Sequence, residues 1–344
     1  MSRLTRLIGL GCLSAIFGLE IMFRLLPVTT GFGYYDRIQS EPILRSALQY
    51  VNHSLDWKFH QVHTRKVNNY GFTDDNDYQL NSHPIAVIGD SYVQSLMLPY
   101  PDTLEGQLGT LIDNKNHPVY SFGTAGYSLA GYIGSAEYAS KTFNPELFVF
   151  LLTEGDITDS LSTKIAGSYL LDAPELILKF EPSTPNRINQ LMLKSALMRY
   201  LKLHLQFDPV AVLKKSTTHE LTATATDAPS VSQISHRLLD YLEQKSTVRS
   251  DNTIFIIDCD RSKIYQHQQQ PQTEPDNQLA LFAQIARDRG YSTIDTLPLF
   301  THQYQQSHRR IDFTPLDLHW NRDAHQLVSE AVYPVITAKL GNRG

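Results

Sequence analysis

Ile85-Ala86-Val87-Ile88-Gly89-Asp90-Ser91 is the stretch on which the fold turns. Four consecutive apolar residues, too few for a helix and without alternation, describe a strand buried on both faces. Gly89 closes the run, and a small residue there permits a tight strand-to-helix turn. Three further runs have the same character: 119–122 before Gly123, 147–152, and 253–258 (Thr-Ile-Phe-Ile-Ile-Asp), with 293–297 as a candidate fifth strand. Between them lie stretches with helical spacing. Asp102 or Thr103 can cap a helix carrying Leu104, Leu108, Leu111 and Ile112 on one face, and a second helix is expected over 129–143. Further helices are expected near 278–289 and from about Asn321, where Ala324, Leu327, Val328, Ala331, Val332 and Val335 recur at helical spacing. Strands alternating with helices predict an α/β domain, a parallel sheet covered on both faces.

The alternation fails in two places. Residues 24–83 are polar, Tyr-rich and weakly patterned, with one local signature at Val67-Asn68-Asn69-Tyr70-Gly71-Phe72, a turn followed by an extended piece. Residues 160–250, between the third and fourth strands, read as an insertion. Within it, 170–207 is rich in Leu, Met and Lys and is expected to be helical, while 216–233 is Thr/Ala/Ser-rich and is expected to be a flexible loop. A second polar tract, Gln-His-Gln-Gln-Gln-Pro-Gln, follows at 266–272.

The 344 residues include 30 Lys+Arg against 35 Asp+Glu, a formal net charge of −5, and 42% are hydrophobic. A mean hydropathy of −0.27 excludes a polytopic membrane protein, and the apolar content excludes a mainly disordered chain. An acidic balance without a basic block argues against nucleic acid as a partner. Cys12 and Cys259 are too few for a disulfide framework or a zinc site built from Cys. No cofactor or metal is expected; His60 and His63 have metal-like spacing, but no carboxylate cluster joins them.

The N-terminus carries its own signal. Arg3 and Arg6 precede an apolar run over 7–23, broken only by Glu20 and followed by Arg24. As a helix this run spans about 25 Å, the short end of what crosses a bilayer. Met22-Phe23-Arg24-Leu25-Leu26 contains no small-residue cleavage site, so an uncleaved single anchor is expected rather than a signal peptide. The competing reading is an amphipathic helix of the soluble body, since Glu20 is costly in lipid unless it reaches the interface, paired with Arg24. Positive charge before the span places residues 1–6 in the cytoplasm and the body outside. The expected organisation is a tail (1–6), an anchor (7–23), a lead-in (24–83) and an α/β domain (84–344) in the cell membrane, with the domain extracytoplasmic.

The chemistry gathers at strand ends, where open parallel sheets bind ligands. Ser91 follows the first strand at a helix start, which suits a nucleophile whose developing oxyanion falls near backbone N–H donors. A serine needs a base, and the base an orienter. Asp317-Leu318-His319-Trp320-Asn321, just before the final helix, supplies both in Asp317 and His319.

With these residues in place, the chain resembles the SGNH hydrolases, the GDSL-type esterase superfamily, from about Asn68 to the last helix. Gly89-Asp90-Ser91 resembles the first family block, and Gly123-Thr124-Ala125-Gly126-Tyr127-Ser128 the second. Asp317 and His319 resemble the last block, in the Asp-x-His-Trp-Asn form of exported polysaccharide-modifying members. Glu20…Arg24 and Asn69-Tyr70-Gly71-Phe72 are similar to membrane-anchored bacterial members. The resemblance implies a three-layer, flavodoxin-like α/β/α fold and an acyl-enzyme mechanism. It assigns Ser91 as nucleophile, His319 as base and Asp317 as orienter, with the N–H groups of Ser91 and Gly126 as oxyanion donors. Tyr127, Asp156, Trp320 and Asn321 are candidates for substrate binding, with framework packing as the alternative, and His325 is expected to pack beneath the site.

One block departs. The family places Asn-Asp after the third strand, where this chain has Thr153-Glu154-Gly155-Asp156, so Gly155 lacks the side-chain oxyanion donor. Loss of such a donor costs about a hundred- to a thousandfold in rate. The implied substrates are acylated glycans or other esters, handled by a hydrolase or an O-acyltransferase. The alternatives are a catalytically degenerate glycan-binding module and a lipid esterase.

Overall fold

The computed structural model describes residues 3–30, 35–36, 41–46, 48–113, 116–162, 167–182, 194–205, 229–266 and 274–341. The N-terminal helix α1 (Arg3–Leu25) leads to an antiparallel hairpin, β1 (Tyr50–Leu55) and β2 (His60–Lys66). The body then alternates: β3 (Ile85–Gly89), α2 (Ser91–Gln94), α3 (Leu104–Ile112), β4 (Val119–Gly123), α4 (Leu129–Phe143) and β5 (Leu147–Leu152). A second hairpin, β6 (Ser168–Asp172) and β7 (Ile177–Glu181), and a short helix α5 (Ala196–Arg199) with a π-helical turn at Tyr200–His204 come next. The chain ends with α6 (Val231–Lys245), β8 (Thr253–Ile257), α7 (Ser262–Gln266), α8 (Glu274–Asp288), β9 (Ser292–Asp295), α9 (Thr296–Ser307) and α10 (Arg322–Gly341).

Five strands form one all-parallel sheet in the order β9-β8-β5-β3-β4. This is the flavodoxin-like order: β4 is added on one side of β3, and the chain then crosses back to add β5 on the other side. The continuous apolar runs are explained by burial on both faces. Ala86, Ile88, Phe122, Phe148, Phe150 and Phe255 face a core built with α4, α6 and α8. Their neighbours Ile85, Val87, Val119, Val149, Ile254 and Ile256 face the opposite core, with α3, α9 and α10. The three-layer α/β/α architecture follows directly from that alternation.

Several boundaries differ from expectation. Residues 170–207 are not helical throughout: Ile177–Glu181 alternates exposed and half-buried positions, a period of two that pairs it with Ser168–Asp172. The insertion does not extend to 250, because α6 packs on α4 and α8 as a layer helix, capped by Ser230. The fifth strand stops at Asp295, whose carboxylate accepts the Leu297 N–H at 2.9 Å and starts α9. The lead-in contains the β1–β2 hairpin, which the polar composition concealed. The loop expected over 216–233 lies outside the described residues up to 228, and the Gln-rich tract lies outside them from 267.

Two clusters of contacts among the described residues tie the lead-in and α1 to the rest of the chain. Arg65 on β2 is fully buried; its guanidinium donates to the carbonyls of Ser95 at 2.9 Å, Leu98 at 3.2 Å and Thr73 at 3.2 Å, and stands 3.6 Å from Glu105. At the other end, Glu20 pairs with Arg24 at 2.7 Å and accepts the Ser195 hydroxyl and the N–H groups of Ala196 and Leu197. Helix α1 is long and apolar enough to cross a membrane, and its apolar window is 6% buried.

Gly123 packs the end of β4 against α2: a Cβ there would lie 2.3 Å from Gln94 N and 2.8 Å from Gln94 Cα. Backbone cannot yield as a side chain does, so Gly123→Ala is expected to destabilise by about 1–3 kcal/mol. Thermal unfolding beside Gly341→Ala, which meets nothing within 4 Å, checks this; equal melting temperatures would contradict it.

Candidate active site

Ser91 stands where β3 turns into α2. The turn is tight enough that a Cβ on Gly89 would lie 2.4 Å from Val93 Cγ2 and 3.3 Å from Leu151 O. Asp90 caps α2 by accepting the Tyr92 N–H at 2.9 Å, which makes Ser91 the first helical residue. Its other oxygen accepts the Thr153 hydroxyl at 3.2 Å, joining the ends of β3 and β5.

His319 reaches the serine from the far end of the chain, with Nε2 2.7 Å from Ser91 Oγ. Its Nδ1 is hydrogen-bonded to Asp317 Oδ1, which also accepts the His319 backbone N–H at 2.9 Å. With Nδ1 donating to the carboxylate, Nε2 is left to accept the serine proton. Burial would raise the Asp317 carboxyl, but the hydrogen bonds and charge of His319 hold it below its ordinary value. The nucleophile, base and orienter expected from sequence are therefore assembled in hydrogen-bond contact.

What holds His319 there is a buried network that the sequence reading missed. The Arg261 guanidinium grips Asp258 through Nη1, at 2.8 and 2.7 Å from its two oxygens, and lies 3.5 Å from Asp312. Through Nη2 it donates to the Leu318 carbonyl at 2.7 Å and to the Tyr92 hydroxyl at 2.8 Å. Tyr92 in turn donates to the same carbonyl at 3.1 Å and lays its ring 4.6 Å from that of His319. Asp258 at the end of β8, with Arg261 three residues on, was the available signal.

The other candidate residues fall into two groups. Trp320 is fully buried, donating its indole N–H to Asp258 at 3.0 Å. Asn321 caps α10, accepting from Asp323 N at 3.0 Å and Ala324 N at 3.2 Å. Tyr127 is buried with its hydroxyl on Gly167 O at 3.3 Å, and buried Asp156 accepts from Thr153 N at 2.7 Å and Tyr132 at 3.0 Å. None of these four lines the cavity beside Ser91; their polar atoms are satisfied within the framework. Burial pushes Asp156 well up, and the neighbouring Asp90 charge pushes it further. Gly126 lies in an exposed turn at φ +80° that follows Thr124, whose N–H donates to Gly89 O at 3.0 Å, and it is not among the residues lining the cavity. Gly155 has φ +91°, a conformation that favours glycine. His325 is buried on α10 with Nε2 3.3 Å from Ser95 Oγ, under the site as expected.

The cavity measures about 970 Å³, within the range of small-molecule sites. Its lining includes Ser91, His319, Thr153 and Glu154 and the apolar side chains of Leu279, Ala283 and Leu297. Among the described residues no group of three His, Cys, Asp or Glu is placed to hold a metal. His60 instead pairs with Asp56 at 2.8 Å, and His63 faces His53 across the hairpin. Cys259 lines the cavity with its thiol pushed up to about 12 by burial, and Cys12 is exposed on α1.

No family model matches the chain. Solved structures to which it is similar include TesA, at 12% identity and a TM-score of 0.40, covering 74% of this chain and 99% of that one. A putative lipolytic protein of the G-D-S-L family from Desulfitobacterium hafniense DCB-2 has 10% identity and a TM-score of 0.37, covering 74% and 99%. A catalytic mutant of an acetylxylan esterase from Geobacillus stearothermophilus has 10% identity and a TM-score of 0.39, covering 75% and 95%. Likeness at this level assigns no activity; the chemistry is carried by this chain's own side chains. Its sheet order, the serine at the first strand end and the Asp-x-His before the last helix are the arrangement that the resemblance to SGNH hydrolases implies.

Arg261→Lys keeps the charge but not the forked reach, so His319 loses its brace. The Ser91-dependent reaction is expected to slow about 10- to 100-fold in kcat with KM little changed; an unchanged kcat would show that Arg261 does not position the base. A second expectation concerns acid. Burial lowers His325 to about 3 from an ordinary 6.5, so below pH 6.5 the unfolded chain binds a proton that the folded chain refuses. Stability is therefore lost as pH falls from 6.5 toward 3. His325→Leu should flatten that decline in melting temperature between pH 7 and 5; an unaltered slope would contradict the assignment.

Proposed function

We propose that this chain is an SGNH-type serine esterase or O-acyltransferase, acting on ester-linked acyl groups, acetyl above all, of an extracytoplasmic polysaccharide while held to the membrane by α1. The observation that carries the chemistry is the 2.7 Å contact from His319 Nε2 to Ser91 Oγ with Asp317 behind it. The glycan target rests on the Asp317-Leu318-His319-Trp320-Asn321 form of the last block and on the size of the cavity.

Ser91 Oγ attacks the ester carbonyl carbon as His319 Nε2 takes its proton. The N–H groups of Ser91 and Gly126 receive the oxyanion. Collapse breaks the ester C–O bond, and the imidazolium returns its proton to the departing alcohol. The acyl group now sits on Ser91. Water, or an acceptor hydroxyl in the transferase case, attacks next with His319 again as base, and Ser91 is released. Asp317 keeps the imidazole in the one tautomer that serves both steps.

Gly155 favours a second reading, a degenerate glycan-binding module, because the side-chain oxyanion donor is missing. The two readings separate on one experiment. The purified chain should hydrolyse an aryl acetate at a rate that falls to background in Ser91→Ala. Equal rates in parent and variant would overturn the esterase reading. Absence of turnover in both, with retention on acetylated polysaccharide, would favour the module.

A further inference from the structure

We propose that a basic, aromatic collar around the last turn of α1, made of Trp57, Lys58, Lys202 and Leu205, lies in the headgroup layer of an anionic bilayer and fixes the height of the body above it. This rests on the reading of α1 as a membrane anchor. The first observation is a matter of length. From Leu7, just after Arg6, to Leu25 the helix rises roughly 28 Å at about 1.5 Å per residue. A hydrocarbon core of about 30 Å needs all of that rise, including the turn that begins at Glu20.

That same turn already carries the body. Glu20 caps α5, Phe23 is buried against the Tyr200 ring at a centroid distance of 4.2 Å, and Arg199 donates to Thr29 O at 3.1 Å. The tip of the β1–β2 hairpin is docked on the same segment. Tyr200 donates to Trp57 O at 3.2 Å, His204 Nδ1 donates to Asp56 O at 2.7 Å, and the Phe59 ring packs on Tyr200. Groups docked on the last turn of a span that must be used to its end sit at the hydrocarbon boundary.

The exposed side chains there are suited to that boundary. Trp57 is 57% exposed and Leu205 46%, and on the last turn of α1 Leu25 is 83% exposed. Tryptophan with a flanking cation is the side-chain pair that prefers the bilayer interface. Lys58 Nζ lies 5.2 Å over the Trp57 ring. Among the described residues here, Glu20 is held by Arg24 and the α5 N–H groups, and Asp56 by His60 and the Lys58 N–H. In segments 20–25, 56–60 and 195–205, Arg24, Lys58, Arg199 and Lys202 stand against Glu20 and Asp56, a positive balance within a chain total of −5, and anionic headgroups are its complement.

The chain contains two tryptophans, Trp57 and the fully buried Trp320, so the difference between parent and Trp57→Phe isolates one reporter. The full chain is reconstituted in phosphatidylcholine–phosphatidylglycerol vesicles whose phosphatidylcholine is brominated high or low on the acyl chain. The Trp57 emission is expected to be blue-shifted, quenched more by the high bromines than the low, and shielded from aqueous acrylamide. Acrylamide quenching without bromolipid quenching, in a chain that stays in carbonate-washed membranes, would overturn the collar and leave the anchor standing. Release of the chain by carbonate would overturn the anchor reading, and the collar with it.

Discussion

One buried guanidinium suspends the candidate site. Arg261 lies between Asp258 and Asp312, with its outer nitrogen on Leu318 O and Tyr92 Oη. Three segments distant in sequence meet on it: the end of β8, helix α2 and the loop that presents His319. Arg310 also pairs with Asp312, at 3.1 Å, so two carboxylates face two cations, and the cost of burying Arg261 is offset because its remaining donors are also used. Such a group stabilises little by itself, but it excludes alternative positions of the loop. The loop is held besides by the Asp312–Trp320 bridge, the Phe313 N–H on His319 O, the buried Trp320 indole on Asp258 and the Asn321 amide on Arg310 O.

The sheet explains why the parts converge at all. The chain adds β4 on one side of β3 and β5 on the other, and that crossing back opens the crevice at the carboxyl ends of the strands. Ser91 leaves β3, Thr153 and Glu154 leave β5, and Asp258 leaves β8, so all face one cavity. The last block has no strand of its own in the sheet. It is delivered by the backbone pairing around residue 312 and by α10, whose cap Asn321 fixes where the helix begins.

Much of this was legible. Strands buried on both faces announce themselves as unbroken apolar runs, and the helix over 129–143 was placed to its ends because Leu129 and Phe143 bound a stretch of small and aromatic residues. Ser91, Asp317 and His319 could be named because their chemistry demands one another. Of the two readings that Trp320 and Asn321 carried, substrate binding or framework packing, the structure places them as a core anchor and a helix cap. Arg261 was invisible because a charged residue after a strand is ordinarily solvated, and only the coordinates place it between two acids. The hairpins escaped notice for a different reason. Their half-exposed strands alternate polar and apolar residues too weakly to be distinguished from loop.

The central claim is that Ser91 is a nucleophile poised by His319. Its most direct test is intact-mass analysis of the full chain after exposure to a fluorophosphonate, followed by peptide mapping of the adduct. The account predicts one phosphonyl group per chain, on Ser91, formed with a pH dependence that is absent in His319→Ala. No adduct on the folded chain, or an adduct on another residue, would contradict it.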